Sequence, residues 1–242
     1  LHLLSRRQRQ MCIRDRVYGG KIEMNDISRQ IVEYIDEKKM STEEVSDAMG
    51  KTGVVKGSKP IAKGQFAVGV VQYVYTYLDS NWAIHEQIRD LRKDVIVFVD
   101  DINVTDKALF GQLVSRFIIQ KKNAKAIVTK GWMRDVQGMI EDGTMVWCKD
   151  ITPIGCFNKK EEITPEIEQI MKKNREYYDG SIAVCDDSGV VIIPKELITE
   201  EFLEKLKFLH NQESVWFDCV MNKNWDTYDT VCLKKYKDES SK

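Results

Sequence analysis

The spacing of apolar residues changes period repeatedly along the chain, and these changes mark out its elements. Over residues 25–38 (NDISRQIVEYIDEK), Ile27, Ile31, Tyr34 and Ile35 recur at helical intervals, which predicts an amphipathic helix. Ser41-Thr42-Glu43-Glu44 has the form of a capping box, in which Ser41 accepts from a free N–H and Glu44 reaches back. A second helix is expected over 42–49. Residues 50–64 hold four glycines (50, 53, 57 and 64) and Pro60, and read as turns. The stretch QFAVGVVQYVYTY, 65–77, is rich in β-branched and aromatic residues and reads as a largely buried strand. A helix capped by Asp79 or Ser80 is expected to run to about Arg92, followed by DVIVFVDD, 94–101, an apolar run bounded by acids that reads as a buried strand.

From Lys107 to about Gln120 the pattern is helical, and AIVT (126–129) is a strand that enters Gly131. The stretch EEITPEIEQIMKKNREYY, 161–178, is polar and helix-like. IAVC (182–185) and VVII (190–193) flank Asp186-Asp187-Ser188-Gly189 and are expected to pair as a tight hairpin that Pro194 stops. Residues 199–210 read as another helix. The remainder, with Trp216, Trp225 and Tyr228, is an extension without an assigned element, and the terminal KDESSK is expected to be disordered. Strands alternating with helices predict an α/β layer fold, and the late hairpin makes the sheet mixed.

Composition narrows the picture. At 242 residues and 43% hydrophobic, the chain can bury one sizeable core and carry an extension. No run approaches the roughly 18 apolar residues a membrane helix needs, so a soluble protein without a membrane partner is expected. Residues 1–16, LHLLSRRQRQMCIRDR, lack an initiator Met and any periodic apolar face, and MCIRDR resembles translated sequencing-adapter sequence. They are expected to be a non-native leader; the competing reading is a basic arm for nucleic acid or anionic lipid. Without their five Arg and Asp15, 32 basic residues face 37 acidic ones, a net charge of −5 in place of −1. A broad basic face for nucleic acid loses its support. The six Cys (12, 148, 156, 185, 219 and 232) form no CxxC and have no neighbouring His cluster, which predicts free thiols and a reducing cytoplasm.

Chemistry concentrates in one block. A strand leads into ALFGQLV (108–114), and a second strand ends at GWMRD (131–135). A glycine at a strand-to-helix turn lets backbone N–H groups face outward, and a helix N-terminus favours an anion. The backbone of Gly111, Gln112, Leu113 and Val114 is therefore a candidate carboxylate cradle. Arg134 can add a bidentate contact to the same anion, and Asp135 offers a hard oxygen ligand for Mg²⁺ or Mn²⁺, which keeps most of its waters. An Arg-Asp pair at a strand end also describes a surface ion pair or a cap.

In order and spacing, DVIVFVDD, ALFGQLV and IVTKGWMRD resemble the central signature of the RraA-like family, which includes 4-hydroxy-4-methyl-2-oxoglutarate aldolases and oxaloacetate decarboxylases. STEEVSDAMGKTG and SKPI upstream, and DGSIAVCDDSGVVIIP downstream, are similar to that family's N-terminal helix and loop and its closing hairpin. The resemblance runs from about Ser41 to Pro194. It implies a swivelling β/β/α sandwich over 17–213 with a C-terminal extension at 214–242, and a homotrimer or dimer of trimers with sites between subunits. It further implies an α-keto acid held by Gly111 to Val114 and Arg134, and a divalent cation on Asp135. Asp47 falls where family enzymes place an acid near the metal waters, and Glu213 is a candidate for the acid supplied by a neighbouring subunit.

The implied chemistry is that of a class II pyruvate aldolase or oxaloacetate decarboxylase. Retro-aldol cleavage and β-keto acid decarboxylation both pass through a pyruvate enolate, whose charge a cation and Arg134 stabilise. Lys130 and Lys149 suggest a Schiff-base alternative, against which stands their reading as solvated lysines. The rival from another class is a catalytically silent RraA-like protein that docks on a ribonuclease or another partner; loss of the Arg-Asp pair marks such proteins, and this chain keeps it. A methyltransferase reading lacks a GxGxxG loop after a strand.

Three features depart from the family pattern. Twenty-one residues separate Gln112 from Arg134, one more than usual, with the extra one expected in the turn Lys121-Lys122-Asn123. Gln112 stands where active enzymes carry an acid. The polar stretch 161–178 replaces an apolar strand. His85 reads as a core-edge or hydrogen-bonded histidine, the aromatics of 66–77 as core, and Asp100-Asp101 as a turn cap.

Overall fold

The computed structural model describes residues 25–239; the leader expected at 1–16 lies outside the described residues. Four strands run parallel at the centre of one sheet: β2 (Ala67–Tyr77), β3 (Ile96–Ile102), β4 (Ala126–Thr129) and β6 (Val146–Cys148). β1 (Lys59–Pro60) adds antiparallel to β6, and the hairpin of β8 (Ile182–Cys185) and β9 (Val190–Ile193) adds antiparallel to β2. The resulting order is β1-β6-β4-β3-β2-β8-β9. A separate pair, β5 (Trp132–Met133) and β7 (Asp150–Ile151), is parallel. This is the mixed α/β sandwich expected from the sequence.

Alternation along β3 sorts the core. Ile96, Phe98 and Ile102 join one buried cluster with Tyr73, Tyr75 and Trp147, covered by α6 (Pro165–Tyr178). Val97 and Val99 join the cluster of the other face, covered by α3 (Trp82–Gln87), α4 (Gln112–Arg116) and α5 (Val136–Glu141). A third cluster forms where α1 (Asp26–Lys38), α2 (Thr42–Ala48) and α7 (Glu200–Met221) pack on the hairpin and the start of β2. β2 is buried on both faces nearly throughout, which is why its sequence shows a continuous apolar run rather than alternation.

The local signals act as expected at several points. The Ser41 N–H donates to Glu44 Oε2 at 2.7 Å while Glu44 N donates to Ser41 Oγ at 3.1 Å, a complete capping box. Asp186 Oδ1 accepts from Ser188 N at 2.8 Å and holds the β8–β9 turn. The polar stretch is helical as α6, with Thr164 as its N-cap, and Tyr178 at its end stacks on Phe98 with ring centroids 3.9 Å apart.

Other expectations are corrected. The helix expected from Lys107 begins only at Gln112, because Ala108 pairs in extended form with Trp132 and Gly155, and these ladder contacts override the apolar spacing. α3 starts at Trp82 with Asn81 at the cap position; Ser80 Oγ accepts from Trp82 N at 3.1 Å. The helix expected over 199–210 runs on to Met221, unbroken across the boundary placed between 213 and 214. Beyond it come a π-turn, Tyr228–Cys232, and α8 (Tyr236–Glu239), where disorder was expected from Lys237. Among the described residues no helix is long and apolar enough to cross a membrane.

Candidate functional site

The strands β2, β3 and β4 point the same way, so the segments leaving their carboxyl ends gather along one edge of the sheet, where open α/β sheets bind ligands. After β3 the chain runs extended through Ala108-Leu109-Phe110, whose side chains are buried, and turns at Gly111 into α4. After β4, Arg134 N donates to Phe110 O at 3.3 Å, which sets the two segments side by side. Asp135 sits at φ +58°, a left-handed conformation that Asp tolerates better than most residues, and begins α5.

This turn brings Asp135 onto Gly111. A Cβ built on Gly111 would stand 2.7 Å from Asp135 Cγ and closer still to Oδ2. Oδ2 accepts from Gln112 N at 3.3 Å and lies 3.9 Å from Arg134 Nε. The guanidinium lies along the backbone of Gly155, where a Cβ would meet Nη1 at 2.7 Å. Two glycines from separate segments thus leave room for the Arg-Asp pair. Their backbone φ is not the reason, because Gly111 is extended; the requirement is close approach.

Gly111, Leu113, Val114, Arg134 and Asp135 line one pocket of about 260 Å³. The first-turn N–H groups of α4 have no intrahelical acceptor, and Ser115 N closes that turn on Gly111 O at 3.1 Å. Gln112 contributes differently. Its carboxamide fills the space left by Gly138, 2.5 Å from where a Cβ would be, and donates to Asp142 Oδ2 at 2.9 Å. Arg116 grips the same carboxylate with two bonds of 2.6 and 2.7 Å. That network lies outside the pocket lining. The extra residue between Gln112 and Arg134 meets a π-turn, Phe117–Lys121, in which Lys122 N donates to Phe117 O at 3.0 Å. A π-turn holds one residue more than an α-turn, and this one leads directly into the turn at 121–123.

The same pocket has a second set of lining residues, Asn81 and His85 from the segment after β2 and Cys156 and Asn158 from the segment after β7. His85, expected at the core edge or hydrogen-bonded, is instead exposed, and nothing in the sequence marks the others. Burial pushes the Cys156 thiol up to about 11, so it is protonated at neutral pH. Asn81 Oδ1 is buried without a hydrogen-bond partner.

Asp47 and Glu213 lie elsewhere in the same chain. Asp47 is exposed on α2, 3.3 Å from Lys51, and lines a groove with Ser188 and Val191 at the β9 end of the sheet. The pocket at Arg134 is lined instead by segments that follow β2, β3 and β4. Glu213 on α7 has its carboxyl raised above the usual range by burial and then by the nearby Glu44 and Asp47 charges, which places the two acids in one patch.

Among the described residues no group of three or more His, Cys, Asp or Glu is arranged to hold a metal ion. The pocket offers one carboxylate, of which only Oδ2 is engaged. That donor set fits a hard divalent cation that keeps most of its waters and does not fit an all-protein cage. Lys130, expected to be a solvated lysine, is instead partly buried and paired. Burial would lower its pKa, but Asp100, 2.8 Å away and itself buried, outweighs that by charge and hydrogen bond and holds the ammonium charged. Asp100 also accepts from Tyr73 Oη and Asn174 Nδ2, both at 2.7 Å. It is a buried hub rather than a turn cap.

A mixed α/β sandwich with an Arg-Asp pocket at the carboxyl edge of its parallel strands defines the class. A model of the RraA-like family, described as Aldolase/RraA, matches residues 42–192, and the chain belongs to that family. Protein DlpA of Legionella pneumophila is 26% identical over 168 residues, 65% of this chain and 26% of DlpA, so the chain spans about a quarter of that protein's length. An uncharacterized protein from Pseudomonas syringae has the same fold, with a TM-score of 0.67 at 17% identity over 89% of this chain and 98% of the other. Streptomyces coelicolor RraAS2, described as an unusual member of the RNase ES inhibitor RraA protein family, gives 0.58 at 16% identity over 76% and 93%.

Proposed function

We propose that this chain is a divalent-cation-assisted carbon–carbon lyase for α-keto acids, acting on 4-hydroxy-2-oxo acids, on oxaloacetate, or on both. The observation that carries the reading is the fit of Asp135 and Arg134 against Gly111 and Gly155, which leaves both charged groups lining one pocket with the first turn of α4. Arg134 pairs with the substrate carboxylate and stays beside the C2 oxygen as negative charge develops there. The N–H groups of the Leu113–Val114 turn orient the same carboxylate. Asp135 would hold Mg²⁺ or Mn²⁺, which supplies Lewis-acid stabilisation of the enolate charge.

A homotrimer or dimer of trimers completes the reading, because Asp47 and Glu213 form one acidic patch away from their own chain's pocket. In the assembly this patch belongs beside a neighbour's Asp135. The free thiols of the described cysteines suit a cytoplasmic setting.

The Gln112–Asp142–Arg116 network supports a second reading, a catalytically silent RraA-like protein that binds a ribonuclease or another partner, since it leaves no acid at position 112. Purified protein with Mg²⁺ or Mn²⁺ should release pyruvate from oxaloacetate or from 4-hydroxy-4-methyl-2-oxoglutarate, and EDTA should stop it. Turnover that persists in EDTA would sink the cation assignment, and no turnover on either acid would favour the silent binder.

A further inference from the structure

We propose that His85 is the base that takes the C4 hydroxyl proton of a 4-hydroxy-2-oxo acid, in a polar wall shared with Asn81 and Asn158 that selects hydroxylated substrates. The inference rests on the lyase reading above and adds the group that reading lacks.

Four titratable side chains line the pocket: His85, Arg134, Asp135 and Cys156. Arg134 stays protonated at any working pH. Cys156 holds its proton, because burial pushes the thiol up to about 11. Asp135 accepts from Gln112 N, faces Arg134, and is the one carboxylate in the pocket lining, which would hold a cation. Gln112, at the position where an acid would serve, does not ionise and is bound to Asp142. Imidazole is the remaining group, and it is the side chain most often used as a general base.

His85 is exposed, and what favours this reading is its place in the pocket lining with Arg134, Asp135 and Asn81. His85 lies in the last turn of the short α3, four residues after the cap residue Asn81, so the two share a helical face. Among the described residues neither the ring of His85 nor the amides of Asn81 and Asn158 make a hydrogen bond. Asn81 Oδ1 is moreover buried, and an unpaired buried acceptor costs about 1–3 kcal/mol. A buried, unpaired acceptor in the lining of a pocket is the arrangement expected where a ligand supplies the partner; His85 and Asn158 are exposed beside it.

The step balances without a redox partner. His85 removes the C4 hydroxyl proton, and the O–H pair forms the C4 carbonyl. The C3–C4 bond breaks, its electrons pass to the enolate of C2–C3, and the imidazolium returns the proton to C3. The products are pyruvate and one carbonyl fragment. Decarboxylation of oxaloacetate loses CO₂ from a carboxylate and has no hydroxyl proton to remove.

The test compares full-length wild type, His85→Asn and His85→Gln on 4-hydroxy-4-methyl-2-oxoglutarate and on oxaloacetate, with Mg²⁺ throughout. The ratio of retro-aldol to decarboxylase kcat should fall by about 10²-fold or more, the contribution typical of a positioned base. An unchanged ratio, whether both activities fall or neither does, would overturn the proposal. Wild type inactive on both acids would overturn the lyase reading and the base with it. The chain has three histidines, 2, 85 and 210, so the His85 ring resonance is assigned by its loss in His85→Asn. A shift of that resonance on adding oxalate and Mg²⁺ supports the ring's place in the ligand wall; no shift overturns it.

Discussion

Asp135 occupies the space where Gly111 lacks a side chain: a Cβ there would lie 2.7 Å from the carboxylate carbon. The glycine is thus required by its neighbour rather than by its own backbone angles. Gly111→Ala must push Asp135 aside, and because that carboxylate is half exposed the displacement is cheap for the fold. Stability should drop by no more than about 1 kcal/mol, while misplacing a catalytic group by about an ångström costs on the order of 10²-fold in kcat/KM. Thermal unfolding and keto acid kinetics on the same preparation check this. A large fall in Tm with activity retained per folded molecule would contradict it.

Arg134 lies against Gly155 as a flat group on a bare backbone. A lysine there keeps the charge but loses the planar fork. Arg134→Lys should therefore lose about 10²-fold in kcat, the cost of one missing oxyanion donor, and Arg134→Ala at least as much, with weaker oxalate binding in both. Full activity in Arg134→Lys would show that charge alone suffices.

Lys130 is the only cation within ion-pair distance of buried Asp100 among the described residues. Removing one partner of a fully buried pair costs about 3–5 kcal/mol; Lys130 is 36% exposed, which lowers the expectation to about 1–3 kcal/mol for Lys130→Met. Urea unfolding measures it, and Lys130→Met/Asp100→Asn together should recover part of the loss. Borohydride with pyruvate should leave Lys130 unmodified, because the paired ammonium is not free to condense with a ketone.

Much of the frame is legible because period and punctuation agree: the β8–β9 hairpin has its DDSG turn, and α2 has its capping box. The motif at 108–114 is legible, but its helix begins later than the spacing predicts, since Ala108-Leu109-Phe110 satisfies helical spacing as well as an extended buried run. The far lining of the pocket was not legible. Asn81, His85, Cys156 and Asn158 come from two further segments that only the sheet's topology brings to Arg134. The one available signal was an Asn and a His four residues apart at the start of a helix after a strand, a pattern too common to stand out. Gly155 was equally silent, because its role is an empty space that an arginine 21 positions earlier fills.

Asp101 gives a pH prediction with a definite sign. Burial raises its carboxyl, the adjacent Asp100 charge raises it further, and the result is about 6 against an ordinary 3.8. The folded state therefore binds a proton that the unfolded chain has already released between about pH 4 and 6. Stability from this group is fully present below the unfolded pKa and declines as pH rises through the folded one. A shift of about two pKa units corresponds to about 2–3 kcal/mol. Asp101→Asn removes the titration, so the variant should gain on wild type as pH rises from 4.5 to 7, by about 2 kcal/mol in urea unfolding. A difference between the two proteins that stays constant across that range would mean that Asp101 remains charged in the folded protein and that its neighbours already compensate for its burial.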